Sequence, residues 1–273
     1  MLAALASGFA PAVAALSRPP EGFHAPDTAI FDYSNNCLFG NGSYCITRPT
    51  FWLFVSVLII AAVFIAAFRR PQLVPRGLQN AVESLIDFIR NGIVMEVMGP
   101  DGLPYLPLLT SLFVFIWVNN TFEVIPFIQF PPTSKIAIPM ILAGLVWFIF
   151  NIVGIVKHGG WRYLKSIMFP PGVPPAIYIL YTPIELVSTI IVRPVTLTVR
   201  LTANMIAGHL ILTTFFLGTW YLQWKLLTIP FAAASFALGT FITGFEILVS
   251  VLQAYIFTIL TAVYIASSIH PEH

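Results

Sequence analysis

The stretch VRLTANMIAGH, residues 199 to 209, places Arg200 inside a long apolar run, and a guanidinium cannot shed its charge at physiological pH. Centring an arginine in a membrane helix costs about 2.5 to 3.5 kcal/mol on insertion scales, and an ionisable group at that depth marks a functional site by default. Three readings compete: a structural ion pair, a side chain snorkelling to an interface, or a charge that faces water or a partner's carboxylate. The apolar and small residues that continue to Leu222 argue against snorkelling. On a helix Asn204 lies about 40° round from Arg200, whereas His209 points to the opposite face. Ala203, Ala207 and Gly208 are small and allow another helix to approach closely.

A second constellation lies in the last apolar segment. Glu246 and Gln253 are seven residues apart and share a helical face, to which Tyr264 returns. If the last two segments form an antiparallel hairpin, Glu246 and His209 can meet. An imidazole beside a carboxylate suits proton relay near neutral pH, although a satisfied pair that only joins two helices would use the same residues. Asn119, Asn120 and Glu123 form a third polar patch near the outer end of an earlier span. They either widen an outer aqueous entry or simply end the helix at the interface.

These residues need elements to hold them, and the composition says which kind. Of 273 residues 58% are hydrophobic and only 9% charged, far from a soluble domain, so the chain reads as an all-α polytopic membrane protein. The first span, Phe51 to Phe68, is followed at once by Arg69, Arg70 and Arg76, which makes that end cytoplasmic and the first fifty residues extracytoplasmic. From Val74 a helical stripe of Leu78, Val82, Leu85, Ile86, Ile89 and Ile93 predicts an amphipathic helix along the cytoplasmic surface. Spans from about Leu106 to Phe127 and Ile136 to Val156 come next, with Lys157, Arg162 and Lys165 in a second cytoplasmic loop. Two stretches remain, Ala176 to Leu222 and Leu226 to Ser268. Each is about twice the length an upright span needs, so each must tilt, bend or break, with Pro183, Pro194 and Pro230 as kink points. Five crossings leave the C-terminus cytoplasmic, and residues 51 to 273 read as one membrane domain.

Cys37 and Cys45 fall in the exported segment, where either a small disulfide loop or two free thiols would fit. Residues 1 to 16 look superficially like a signal peptide but lack a basic start, the first basic residue being Arg18, so cleavage is not expected. The net charge of +2 gives no sign of nucleic-acid binding. No Walker-type loop is present, and His209 is the only histidine well inside an apolar run, which leaves haem no bis-histidine pair. No cofactor or metal site is expected.

RPVTLTVRLTANMIAGH, Arg193 to His209, together with GFEILVSVLQAYIFTILTAVYIASS, Gly244 to Ser268, closely resembles subunit a of bacterial F-type ATP synthases. The resemblance extends more weakly over about four-fifths of the chain and implies no catalysis by the chain alone. It implies a stator in the cell membrane, holding a steeply tilted helical hairpin against a rotating ring of carboxyl-bearing c subunits. The peripheral stalk subunit b and the rest of the complex are the further partners it implies. Carried onto this sequence, Arg200 is the fixed charge facing the ring, and Asn204, His209, Glu246 and Gln253 match polar positions in or beside the outer half-channel. His209 and Glu246 stand in the variant order with histidine first. The family also has a cytoplasmic-side acid ahead of the Arg193-Pro194 dipeptide. Glu185 is the candidate, but it lies eight residues before Arg193, one more than the family pattern, and serves the exit path only if a bulge restores its face. A self-contained channel or secondary transporter, or a membrane scaffold, is the alternative class; a transporter would typically carry internal repeats, and none is found.

Overall fold

The computed structural model describes residues 37–39, 46–125, 128, 131–168, 175–224 and 226–269. Residues 1–16 and Cys45 fall outside this set, and with them the leader-like stretch and the cysteine loop. Among the described residues, five helices are long and apolar enough to cross a membrane: Arg48–Phe68, Gly99–Thr121, Ala137–His158, Tyr181–Leu222 and Leu226–Ile269. The chain is an all-α multi-pass membrane protein, with one short antiparallel strand pair, β1 (Cys37–Phe39) and β2 (Ile46–Thr47), ahead of the first helix.

Among the described residues eight α-helices of nine residues or more follow: α1 (Arg48–Phe68), α2 (Leu78–Ile89), α3 (Leu106–Thr121), α4 (Ala137–His158), α5 (Gly160–Met168), α6 (Pro175–Val187), α7 (Arg193–Leu222) and α8 (Ile229–Ile269). Two compact units divide them. Of the described residues, one takes in those between positions 37 and 206 together with Ile247–Ile269; the other is Ala207–Glu246.

In the larger unit, α2 buries most of the stripe that its sequence predicts. Val82 and Ile89 are buried, as is Ile93 in the π-helical turn Arg90–Val94 that continues the helix, and Leu85 packs against the same core, while Leu78 stays exposed at the helix start. The Phe88 ring reaches Phe113 of α3 and Tyr255 of α8, with centroids 6.3 and 6.1 Å away. This core also takes in Leu109, Ile116, Val146, Phe150, Leu201, Phe257 and Ile265. Many hydroxyls in these helices are satisfied by their own backbone, as lipid surroundings demand: Thr198, Thr202, Thr258 and Thr261 each donate to the carbonyl four residues back.

Two boundaries differ from the sequence reading. α3 stops at Thr121 rather than reaching Phe127, and a turn follows in which the Glu123 amide bonds to the Asn120 carbonyl at 3.2 Å. The approach of Pro126 disfavours helical backbone before it. The second basic loop is itself helical. Gly159, at φ 81°, ends α4 in a conformation that L side chains rarely adopt, and α5 begins at the next residue. Tyr163 of α5 then lies against Gly154, where any side chain would strike the ring. Its hydroxyl sits 3.4 Å from Ser268 Oγ, and burial pushes the phenol pKa above its ordinary value. His158 Nε2 lies 3.0 Å from the Ile269 carbonyl, so the ends of α4 and α8 are joined.

In the smaller unit, Ala207–Leu222 of α7 and Ile229–Glu246 of α8 form an antiparallel hairpin. Ser235 Oγ donates to the Phe215 carbonyl at 2.8 Å, and the Phe216 and Phe236 rings meet edge to face at 6.4 Å. Gly239 lets the hairpin close, since a Cβ there would lie 3.3 Å from Phe215 Cβ.

Candidate functional site

Arg200 is carried by α7, whose first turns separate into two faces. Leu197, Leu201 and Met205, spaced by four, are buried at 2%, 0% and 0% exposure; Thr196, Val199, Arg200 and Ala203 are exposed. Among the described residues no carboxylate pairs with the Arg200 guanidinium, and the only salt bridge there belongs to Arg193. A permanent cation thus stands on the outer surface of a membrane-spanning helix, with alanine, not a long side chain, one turn further on.

In the hairpin, Glu246 is 5% exposed and His209 8%. The Glu246 carboxyl is lodged against the backbone of Gly208, where a Cβ would lie 2.7 Å from Oε1 and 2.8 Å from Oε2. Glycine at 208 is what lets an acid from α8 occupy this position beside the residue preceding His209. Glu246 Oε2 has no hydrogen-bond partner among the described residues.

The face shared by Glu246 and Gln253 on α8 is a buried one, Gln253 being 5% exposed, with Ser250 between them at 0%. Gln253 Nε2, Ser250 Oγ and Asn204 Nδ2 are buried atoms without hydrogen-bond partners among the described residues. Such groups are costly in apolar surroundings and retain capacity to hydrogen-bond water. In the third patch Asn119 Oδ1 and Asn120 Nδ2 are likewise buried without hydrogen-bond partners among the described residues, while other atoms of the patch are engaged. Asn119 Nδ2 donates to the Phe115 carbonyl at 2.7 Å, and Thr133 Oγ1 donates to Asn120 Oδ1 at 3.0 Å, tying the end of α3 to the next turn. Glu123 lies in the turn beyond α3, buried at 3% exposure.

The stretch between Glu185 and Arg193 is not α-helical throughout. Ser188–Val192 form a π-helical turn in which the Arg193 amide bonds to the Ser188 carbonyl, five residues back. Pro194 explains it. Lacking an N–H, Pro194 cannot continue the ladder, and a wider turn relieves its ring against the preceding backbone. With Arg193 diverted to Ser188, the Thr189 carbonyl loses its helical donor, and Trp147 Nε1 of α4 supplies one at 3.2 Å. In an unbroken α-helix, residues eight apart stand about 80° out of line; one residue absorbed by the π turn brings them within about 20°. The bulge that Glu185 required is therefore present. Arg193 Nη2 lies 3.5 Å from Glu185 Oε1, and Thr189 Oγ1 lies 3.4 Å from the same oxygen. The guanidinium is seated over Tyr264 at 5.1 Å and Phe150 at 5.9 Å, two rings that pack on each other.

Tyr264 accordingly stands with Glu185 and Arg193, eighteen residues along α8 from the Glu246 that it was paired with by helical phase. Sequence reasoning did not single out Arg193. Its signal was a basic residue in an apolar run immediately before proline, downstream of the one acid in that segment. Among the described residues no group of three His, Cys, Asp or Glu is placed to hold a metal ion.

Comparison with known proteins bears on the whole chain. The family model described as ATP synthase A chain matches residues 50–266. A protein of Parafrankia sp. named ATP synthase subunit a is 44% identical over 263 residues, covering 95% of this chain and 88% of its own. Proteins of the same name from Rhodococcus erythropolis and Streptomyces lividans are 41% and 36% identical, covering 92% and 89% of this chain and 92% and 84% of their own. The chain belongs to the ATP synthase A chain family.

Proposed function

We propose that this chain is the proton-conducting stator of a bacterial ATP synthase, with Arg200 as the fixed charge past which the carboxyls of a rotor ring move. The observation that carries this reading is an exposed guanidinium on a membrane-spanning helix with no carboxylate paired to it among the described residues. Exposed to lipid, such a charge is costly, so the face is built for a partner that supplies a carboxylate. Ala203 leaves room for that partner's backbone to come close. A self-contained transporter would instead turn its binding charge inward, toward a central cavity.

The mechanism follows from electrostatics. A ring carboxyl in lipid stays protonated because desolvation disfavours its anion, whereas opposite Arg200 the anion is favoured and the proton departs. Protons enter from the extracytoplasmic side through groups contributed by Glu246, His209, Asn204 and Gln253, with Glu123 and Asn119 at the outer mouth. They leave to the cytoplasm by way of Glu185 after almost a full revolution. The fixed cation blocks a direct passage between the two half-channels. One charge crossing the full potential releases about 2.3 kcal/mol per 100 mV, so several protons must cross for each ATP made elsewhere in the complex. On this reading the chain sits in the cell membrane with its C-terminus cytoplasmic, in line with Arg69, Arg70 and Arg76 after α1. Its partners are the ring, the peripheral stalk subunit b and the remaining subunits.

The test uses the assembled synthase in inverted vesicles. R200A should assemble yet lose ATP-driven proton pumping, and R200K should recover little, because a compact ammonium does not reproduce a planar fork. Near-normal pumping by R200A would falsify the reading.

A further inference from the structure

Arg193 belongs to no part of the mechanism above, yet it is the most elaborately held charge among the described residues. Its guanidinium is in salt-bridge contact with Glu185 at 3.5 Å and rests on the Tyr264 and Phe150 rings, which come from two other helices. The register that creates the contact is itself constructed, by Pro194 opening the π turn and Trp147 capping the carbonyl left over. Exposure of the pair is intermediate, 23% for Arg193 and 27% for Glu185. A fully exposed pair would be screened and mobile, and a fully buried one could not exchange protons with water.

We infer that Arg193 is a positioning residue for proton exit: seated on the Phe150–Tyr264 ring pair, it holds the Glu185 carboxylate at one place on the cytoplasmic side of α6 and α7. The inference rests on the stator reading and adds to it a second, stationary arginine whose partner is an acid of its own chain. Arg193 acts through Glu185 and touches no ring carboxyl. The rings fix where the guanidinium sits, the guanidinium fixes where the carboxylate sits, and Thr189 and Tyr181 supply the remaining polar neighbours of that carboxylate. An acid on a flexible side chain in a water-filled exit would otherwise sample several rotamers. Holding it raises the fraction of time it can accept a proton leaving the ring.

The experiment is a double-mutant cycle on the intact synthase in inverted vesicles, reading ATP-driven proton pumping per assembled complex. R193Q should lower pumping several-fold while the chain's content in the purified complex stays unchanged, and R193K should restore part of the loss. The decisive arm is the E185Q background, where R193Q should cost little more, because a residue acting through Glu185 has nothing left to position. Y264L should weaken pumping in the wild-type background and not in the R193Q one. Should R193Q impair assembly, the same cycle is run with R193K. Additive losses in either cycle overturn the inference. Because R200A tests the stator role separately, an inactive R200A together with an additive Arg193–Glu185 cycle would sink this inference and leave the stator reading standing.

Discussion

Two arginines seven residues apart on α7 carry the same side chain into opposite situations. Arg193 is held by a carboxylate of its own chain and by two aromatic rings, whereas Arg200 is exposed with no carboxylate paired to it among the described residues. Both would be costly in hydrocarbon. Among the described residues the fold answers that cost for one and leaves it unmet for the other. A residue type in a membrane segment therefore does not state its own role: the supply of counter-charge around it does. The acids repeat the contrast, for Glu185 is tied to a cation while Glu246 lies against the backbone of a glycine.

The largest effect that would sharpen this comparison is the loss of coupled pumping in R200A, measured by fluorescence quenching in inverted vesicles; R193Q under the same conditions should retain a measurable fraction. If the two variants were equally inactive while equally well assembled, the distinction between a ring-facing and a positioning arginine would fail. G208V should come next. Its side chain would occupy the place of the Glu246 carboxyl, so pumping should fall strongly, and E246A introduced with it should cost little more than G208V alone. Independent losses would show that Gly208 and Glu246 do not act as one unit.

Smaller effects test the supports of the satisfied arginine. W147F removes the donor to the Thr189 carbonyl, and a buried acceptor left without a partner costs about 1 to 3 kcal/mol. The expected outcome is a lower temperature of subunit loss from the purified complex and a modest decrease in pumping, absent in the E185Q background. G154A should disturb only the seating of Tyr163, at about 1 to 3 kcal/mol for overpacking, with pumping per assembled complex unchanged. A selective pumping defect in G154A would mean that the joined ends of α4 and α8 take part in proton movement.

Much of this was legible in the chain itself. Spans follow from hydropathy, a local property, so α1, α4 and the two long final segments appear close to where their apolar runs lie. Helical phase is local as well, which is why the buried stripe of α2 and the common buried face of Glu246 and Gln253 could be read from spacing. Phase failed where the ladder was interrupted. Counting 100° per residue separates Glu185 from Arg193, and only the π turn realigns them. In the unbroken α8 phase sets Tyr264 on the face of Glu246, but eighteen residues separate the two, and what the ring meets there is Arg193. The helical character of Gly160–Met168 was hidden for a related reason. Its basic residues read as a loop, and what holds it is Tyr163 packing against Gly154, a contact between two elements.

Sequence alone determined that the chain crosses a membrane several times, that Arg200 would be an anomaly there, and that His209 and Glu246 lay on segments long enough to meet. Each of these depends on one segment's hydropathy, charge or length. Tertiary structure decided which arginine is satisfied, which glycine admits an acid, and where the helix widens. These depend on what another helix brings within a few ångströms, and spacing along a single helix does not contain that.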